Sequence, residues 1–509
     1  MAEQIAVEAG KLCNNTDLIV QVAVGGNSKS QMLRKTQREG CHILVATPGR
    51  LNDLLTDPYS RIAAPGLTTL VLDEADRLLD DGFSKDIEDI IDLLPNRREV
   101  DRQTLLFSAT IPQEVMRLVR NTLKPDFHFV QTVQEGDIAT HDKVPQKIVT
   151  VPGFENFIPT LLELSKREIE TAARADSAGG EQVKPFKAIV YFSSTANVIL
   201  ASEIFQNLKG DKGGLFGKHP LHPADMLVMH GQLTQERRTR ASDRFRRAKS
   251  AILFSTDVTA RGMDFPNVTH VIQVGLPPNR EQYIHRIGRT GRGSQTGEGY
   301  IFVHENEVPH SRRLLRGLPI SKDVSLEAAK VDMTAEAQLP AALATTLTQV
   351  GDATKMVERE TKVKAYLAAL SQSNQGAGAK HTIEALNQWS RYGWGWDTPP
   401  SIAPGLAQKL GLARVPGVVI GRSRDRDDSR SRFGGSDRAF GERPERGFGD
   451  RADKGGYGGR GSFGDRGARG GGFGGDRGGR GGKGGFQRND RRNERFGDRN
   501  FASREESSF

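Results

Sequence analysis

Ten short apolar runs, each followed by a turn or the polar start of a helix, confine this chain to one kind of architecture. Five precede residue 131: Leu18–Val24, His42–Ala46, Leu70–Leu72, Thr104–Phe107 and Phe127–Val130. Five more follow: Lys187–Phe192, Met226–Met229, Ala251–Phe254, Val268–Val274 and Gly299–Val303. Apolar runs alternating with helices specify parallel sheets covered on both faces, because each parallel strand is reached through a crossover. One crossover helix is explicit, since Phe83, Ile87, Ile90, Ile91 and Leu94 share a single helical face. A polar stretch with Gly136 and Pro145 separates the two series, and Ala173–Lys184, rich in Ala, Gly, Ser and charge, predicts a surface loop. Residues 319–420 turn Ala- and Leu-rich and hold Trp389, Trp394 and Trp396, which predicts a helical extension packed on the second sheet.

The last 89 residues, 421–509, carry 22 basic and 15 acidic side chains, 25 glycines and no Val, Ile, Leu or Met. Without large aliphatic side chains a segment cannot offset its chain entropy, so this tail is expected to be disordered. It supplies +7 of the net +9 charge. No stretch approaches the roughly 20 apolar residues that span a bilayer. Two cysteines, Cys13 and Cys41, are too few for a disulfide framework or a four-cysteine zinc site.

The sharpest local signal is Val71-Leu72-Asp73-Glu74-Ala75-Asp76, an apolar strand running into carboxylates. That places acids at the C-terminal edge of a parallel sheet, where open α/β folds bind ligands. It suits a magnesium nucleotide, one Asp holding hydrated Mg²⁺ and the neighbouring Glu orienting water. Read alone, it is also a strand end leading into an acidic helix start. Phe107-Ser108-Ala109-Thr110 follows another strand and offers two hydroxyls, which alone would suggest a helix cap. In His285-Arg286-Ile287-Gly288-Arg289-Thr290-Gly291-Arg292, three arginines among two glycines make a poor core segment. Guanidinium groups on a glycine-flexed turn are what phosphoryl transfer requires to neutralise developing charge.

Together these segments resemble motifs II, III and VI of the DEAD-box ATP-dependent RNA helicases. Gly25-Gly26, Thr47-Pro48-Gly49-Arg50, Ile189–Ser194, Gln235 with Arg238, and Thr256-Asp257 through Arg261-Gly262-Met263-Asp264 resemble the remaining series in order. The resemblance implies that Asp73 holds Mg²⁺ through water, Glu74 positions the attacking water and Asp264 meets the ATP ribose. It implies that Arg289 and Arg292 reach the γ-phosphate across a cleft, Arg292 as an arginine finger. Ser108 and Thr110, with Asp76 and His285, would couple hydrolysis to strand separation. Gly25, Gly26, Thr47, Arg50, Arg238, Thr256 and Asp257 would line the RNA backbone, which suits amides and hydroxyls that grip phosphate without reading sequence.

The fold so implied is α/β: two RecA-like parallel-sheet domains, the first incomplete, a helical C-terminal extension and a disordered RGG tail. Their expected limits are 1–140, 145–318, 319–420 and 421–509. The extension, Lys409-Leu410-Gly411-Leu412, Gly275 and the basic tail resemble the fungal mitochondrial helicases that assist intron splicing. No Gly-x-x-x-x-Gly-Lys-Thr/Ser loop occurs, Gly217-Lys218 being followed by His219, and the adenine-reading Q motif is missing. The chain therefore reads as an N-terminally truncated member whose phosphate-loop strand would lie central in the first sheet. The leading expectation is ATP-dependent unwinding of structured or intron RNA, with ATP and Mg²⁺, by a monomer free of membrane. The rival is a non-catalytic RNA-binding or annealing protein, or an inactive truncated form, because the phosphate-binding loop is absent. A mitochondrial matrix location is expected, with nucleolus and cytoplasm as alternatives. In the tail, Arg469-Gly470-Gly471, Arg477-Gly478-Gly479 and Arg480-Gly481-Gly482 stand among ten aromatics. Arginine charge plus base stacking predicts an RNA tether, a solubilising linker being the alternative.

Overall fold

A computed structural model describes residues 1–62, 64–80, 82–96, 100–111, 113–132, 144–177, 184–210, 218–260, 262–292, 295–373 and 378–421. The tail from residue 422, the stretch around Gly136, residues 178–183 of the expected loop, Gly217 and Arg261 lie outside them. Among the described residues eleven strands are formed: β1 Val20–Ala23, β2 Ile43–Ala46, β3 Thr69–Leu72, β4 Gln103–Leu106, β5 Gln146–Val151, β6 Lys187–Phe192, β7 Asp225–Met229, β8 Ala251–Ser255, β9 His270–Val274, β10 Glu298–His304 and β11 Ile320–Lys322.

The second lobe is a seven-stranded sheet in the order β11-β5-β10-β9-β6-β8-β7, and every pairing in it is parallel. The side-chain period of two splits each strand between two cores. Ala188, Val190, Ile252 and Phe254 face one, and Ile189, Tyr191, Ala251 and Leu253 the other. The second core is closed by Phe245, Tyr283 and Ile287 from helices Gln235–Arg247 and Arg280–Ile287. The first is closed by helices Phe157–Ser177 and Thr195–Gln206 and by the extension, whose Tyr366, Leu370, Leu386 and Trp389 belong to the same cluster. Trp389 and Trp394 pack at 4.7 Å between ring centroids, Trp396 lies 5.1 Å beyond, and the Arg359 guanidinium sits 4.5 Å over its ring.

The first lobe is built differently. Its four strands form two separate parallel pairs, β1-β2 and β3-β4. Helices Pro48–Thr56 and Ser84–Leu93 pack together and link the pairs, with Asn52 Nδ2 donating to Asp86 Oδ1 at 3.0 Å. A cavity of about 2740 Å³ is lined by both pairs, including Ile43, Val45, Leu70 and Leu72. Val71 on β3 is accordingly half-exposed where a central strand would be covered.

Three expectations are corrected. Phe127–Val130 forms no strand: it pairs with no strand among the described residues, and Phe129 and Val130 are exposed. Ala173–Ser177 are helical, continuing Phe157–Ser177 as their Ala-rich composition favours. Two further strands, β5 and the three-residue edge strand β11, complete the second sheet.

Because the extension shares one core with the sheet, Leu370→Ala should cost about 2–5 kcal/mol, the range for emptying a buried leucine site. Denaturant titration should show extension and second lobe unfolding in a single transition. An extension that melts separately would contradict the shared core.

Candidate active site and nucleic-acid interface

β3 delivers its last residue, Leu72, directly to Asp73 and Glu74. Glu74 adopts φ +51°, a left-handed conformation uncommon for a side-chain-bearing residue, and helix Ala75–Asp80 starts immediately after it. Asp73 Oδ1 accepts from the Glu74 amide at 3.0 Å and the carboxylate stays exposed. Glu74 Oε2 is buried and, among the described residues, has no hydrogen-bond partner. β4 brings Ser108 and Thr110 alongside. Ser108 Oγ accepts from the Asp76 amide at 3.3 Å, and Thr110 Oγ1 donates to Asp76 Oδ2 at 2.8 Å.

The second lobe meets this cluster through helix Arg280–Ile287. His285 Nε2 lies 3.3 Å from Asp76 Oδ2, with Asp76 2% and His285 6% exposed. Gly291, at φ +67°, turns the chain between Arg289 and Arg292, and a Cβ there would lie 2.3 Å from Val144 Cγ2. Arg289 is anchored by Nη1 to the Met263 carbonyl at 2.7 Å, and burial, then the Arg292 charge, pulls its pKa down to about 10. Arg292 Nη1 donates to Asp264 Oδ1 at 2.7 Å, and the Asp264 amide donates to Gln4 Oε1 at 3.4 Å.

The donor set fits a magnesium nucleotide. It combines an exposed strand-end carboxylate, a buried carboxyl oxygen without a partner, and two guanidiniums carried on the opposite lobe. Asp73 is the residue that would hold Mg²⁺ through water.

The residues expected on the RNA track cluster where β1, β2, β7 and β8 end. Gly25 has no neighbour within 4 Å of a would-be Cβ, while Gly26 at φ +81° faces Gln235 across the lobes at 3.6 Å. Thr47 stands at the N-terminal boundary of helix Pro48–Thr56 without a side-chain cap bond. Arg50 donates through both Nη atoms to the Asn27 carbonyl at 3.2 Å, holding the Gly25-Gly26 loop against that helix. Arg238 donates to the Gly231 carbonyl, and its buried Nε has no partner among the described residues. Thr256 lies at the end of β8, its amide bonded to the Met229 carbonyl at 3.3 Å. Asp257 differs from its neighbours, because its carboxylate is engaged inside the lobe by Arg286 and Gln282. Arg286 is the residue that sequence reasoning missed. It is fully buried, against the expectation of a segment unsuited to a core, because Asp257 neutralises it. Its four-residue spacing from Gln282 on one helix is the signal that both reach the same partner.

Residues 1–118 match the DEAD/DEAH box helicase family, and residues 181–294 match the helicase conserved C-terminal domain. An ATP-dependent RNA helicase MSS116, mitochondrial, of Phaeosphaeria nodorum is 33% identical over 83% of this chain and 72% of its own length. The chain belongs to the DEAD-box RNA helicase family. It is also 50% identical over 434 residues to an ATP-dependent RNA helicase mss116, mitochondrial, of Aspergillus fumigatus, covering 85% of this chain. The corresponding figure for cyt-19, mitochondrial, of Neurospora crassa is 46% over 421 residues. The chain spans 65% and 64% of those two relatives. The fold is similar to that of Mss116p bound to ssRNA and AMP-PNP, with TM-score 0.67 and 27% identity over 83% of this chain and 79% of that one. Among the described residues no helix is long and apolar enough to cross a membrane.

Thr110→Val removes a donor from a carboxylate shut away from water. It should destabilise the first lobe by about 1–3 kcal/mol, the cost of a lost partner at a buried polar group, read from its denaturation midpoint. A midpoint within error of wild type would show that Asp76 is solvated after all.

Proposed function

We propose that the protein is an ATP-dependent RNA helicase that locally unwinds and remodels structured RNA, driven by ATP hydrolysis. The observation that carries this reading is that acids on one lobe and arginines on the other are brought together at the buried Asp76–His285 contact. In this reading Glu74 orients the attacking water and Asp264 accepts a ribose hydroxyl. Arg289 and Arg292 neutralise charge developing on the γ-phosphate. Mg²⁺ on Asp73, when bound, neutralises the phosphates. Gly25, Gly26, Thr47, Arg50, Arg238, Thr256 and the backbone at Asp257 hold the RNA backbone. Ser108 and Thr110 communicate with the site through Asp76.

The names of the relatives in Aspergillus and Neurospora support a mitochondrial location, and the matrix is the proposed compartment. The RNA class proposed is structured or intron RNA, held without sequence preference, and the protein is proposed to act as a monomer. The extents 1–140, 145–318, 319–420 and 421–509 are proposed as helicase ATP-binding domain, helicase C-terminal domain, extension and tail. The alternative, RNA binding without turnover, would rest only on the absence of Gly-x-x-x-x-Gly-Lys-Thr/Ser from the 509 residues.

One assay addresses both readings. The 509-residue polypeptide by itself is expected to bind RNA without RNA-stimulated ATP hydrolysis, and to hydrolyse ATP once a phosphate-loop segment is joined to it. In that joined form Glu74→Gln should abolish turnover. Arg292→Ala should lower kcat by about 10³-fold or more, with little change in single-strand affinity. Equal loss of turnover and RNA binding in Arg292→Ala would make it an RNA contact. Joined protein that stays inactive would favour the non-catalytic reading.

The tail is proposed to add sequence-independent RNA affinity. Deleting residues 421–509 should weaken RNA binding and flatten the slope of log K against log salt, since fewer counterions are displaced. Replacing the ten aromatics by Ser at constant charge separates stacking from charge. A deletion that changes neither affinity nor slope makes the tail a linker.

A further inference from the structure

One buried charge in the extension has no counterpart. Lys362 is 4% exposed, and among the described residues its ammonium has neither an ion pair nor a hydrogen-bond acceptor. Its charge meets the ring of the half-buried Trp396, with Nζ 5.7 Å from the centroid. A ring face attracts a cation, yet it leaves the three N–H donors of an ammonium without acceptors. Burial and then the Arg359 charge pull the Lys362 pKa down.

Arg359, one turn earlier on the same helix face, shares that ring, its guanidinium carbon 4.5 Å from the centroid. It is exposed and, among the described residues, also lacks an acidic partner. Other surface arginines are paired one turn away, Arg174 with Glu170 and Arg240 with Glu236. The acids of this turn are taken up elsewhere. Glu360 pairs with Lys364 at 2.6 Å, and Glu203, which is bonded to Thr361, is the group that feels the charge of Glu358. Both unpaired cations lie in the first turn of helix Arg359–Ser373. A helix N-terminus is itself positive and presents open amides, so cations there oppose the dipole. At the far end of the helix, Gln372 Nε2 donates to the Ser193 carbonyl at 2.8 Å, beside the strand ends. The axis between Arg359 and Gln372 spans about 20 Å, which sets this turn apart from the RNA track.

We propose that the first turn of helix Arg359–Ser373 binds a dianionic phosphate, either inorganic phosphate or a terminal phosphomonoester, through Lys362, Arg359 and the open amides. The charge count sets the class. Two side-chain cations and the roughly +0.5 of a helix N-terminus match the charge of about −1.5 to −2 on a monoester. A diester of the RNA backbone carries a single charge and leaves one cation unanswered. Arg359 offers a planar fork to two phosphate oxygens and Lys362 a point charge, with Trp396 keeping the two heads together.

Hydrogen–deuterium exchange on the 509-residue protein tests this, with inorganic phosphate titrated against chloride at equal ionic strength. Phosphate should slow exchange in the peptide containing Glu360–Lys362. Lys362→Met keeps the stem and removes the unpaired charge, so it should lose that protection while melting no lower than wild type in chloride. Arg359→Gln, at an exposed position, should raise the phosphate concentration for half-protection about tenfold or more, as for a lost charged hydrogen bond. Oligouridine carrying a 5′-phosphate or a 5′-hydroxyl identifies the source. Protection by phosphate or by the 5′-phosphate oligomer, and not by the 5′-hydroxyl one, supports the site. Equal protection by the two oligomers makes the ligand a diester and overturns the proposal. No protection by any of the three probes overturns it, as does protection unchanged in both variants. A Lys362→Met protein that melts well below wild type in chloride also overturns it, because the ammonium is then already satisfied.

Discussion

One carboxylate, that of Asp76, sets the geometry on which everything else depends. A buried carboxylate is stable only if donors surround it, and here they come from separate parts of the chain. Thr110 arrives on the loop after β4, and His285 on a helix of the second lobe. Satisfying the charge therefore fixes how β3 and β4 end relative to each other and where the second lobe sits against them. Ser108, which accepts from the Asp76 amide and donates to the Thr110 carbonyl at 2.6 Å, ties the same loop shut.

The division of labour between lobes follows from this. In the proposed nucleotide site the first lobe contributes the carboxylates of Asp73, Glu74 and Asp76, and the second contributes Arg289 and Arg292, with Asp264 paired to Arg292. A site assembled from two surfaces exists only while they are together, which is how a chemical step can be made to depend on a second ligand that also spans them. The proposed RNA track has the same property, with Gly26 on one lobe facing Gln235 on the other. Within the second lobe, the fully buried Arg286 pairs with the partly exposed Asp257 at 2.6 Å.

How much of this could be read from the sequence depended on whether the signal was local. The central strands of the second lobe announce themselves because they are buried on both faces, so Ala188–Phe192 and Ala251–Phe254 are unbroken apolar runs. β5 escapes such a search because Gln-Lys opens it and Lys147 is drawn into a bond with Glu298 at 2.7 Å on β10. β11 has three residues, too few for any period to show. Phe127–Val130 carries the composition of a strand, but pairing is a property of the neighbour. At the site, residues that end a strand were legible, since strand ends are where parallel sheets carry ligands. Arg286 was not, because its burial is decided by a carboxylate far back along the chain, and Asp257 changes role for the same reason.

The central claim is that the two lobes form one composite site through Asp76 and His285. A double-mutant cycle on single-stranded RNA affinity tests it most directly, using Asp76→Asn, His285→Ala and the double variant of the 509-residue protein. The account predicts that each single change weakens binding and that the double is no worse than either, an interaction energy of about 0.5–3 kcal/mol as for residues in direct contact. Losses that simply add, or singles that bind as wild type, would show that the lobes hold RNA independently of this contact and would contradict the account.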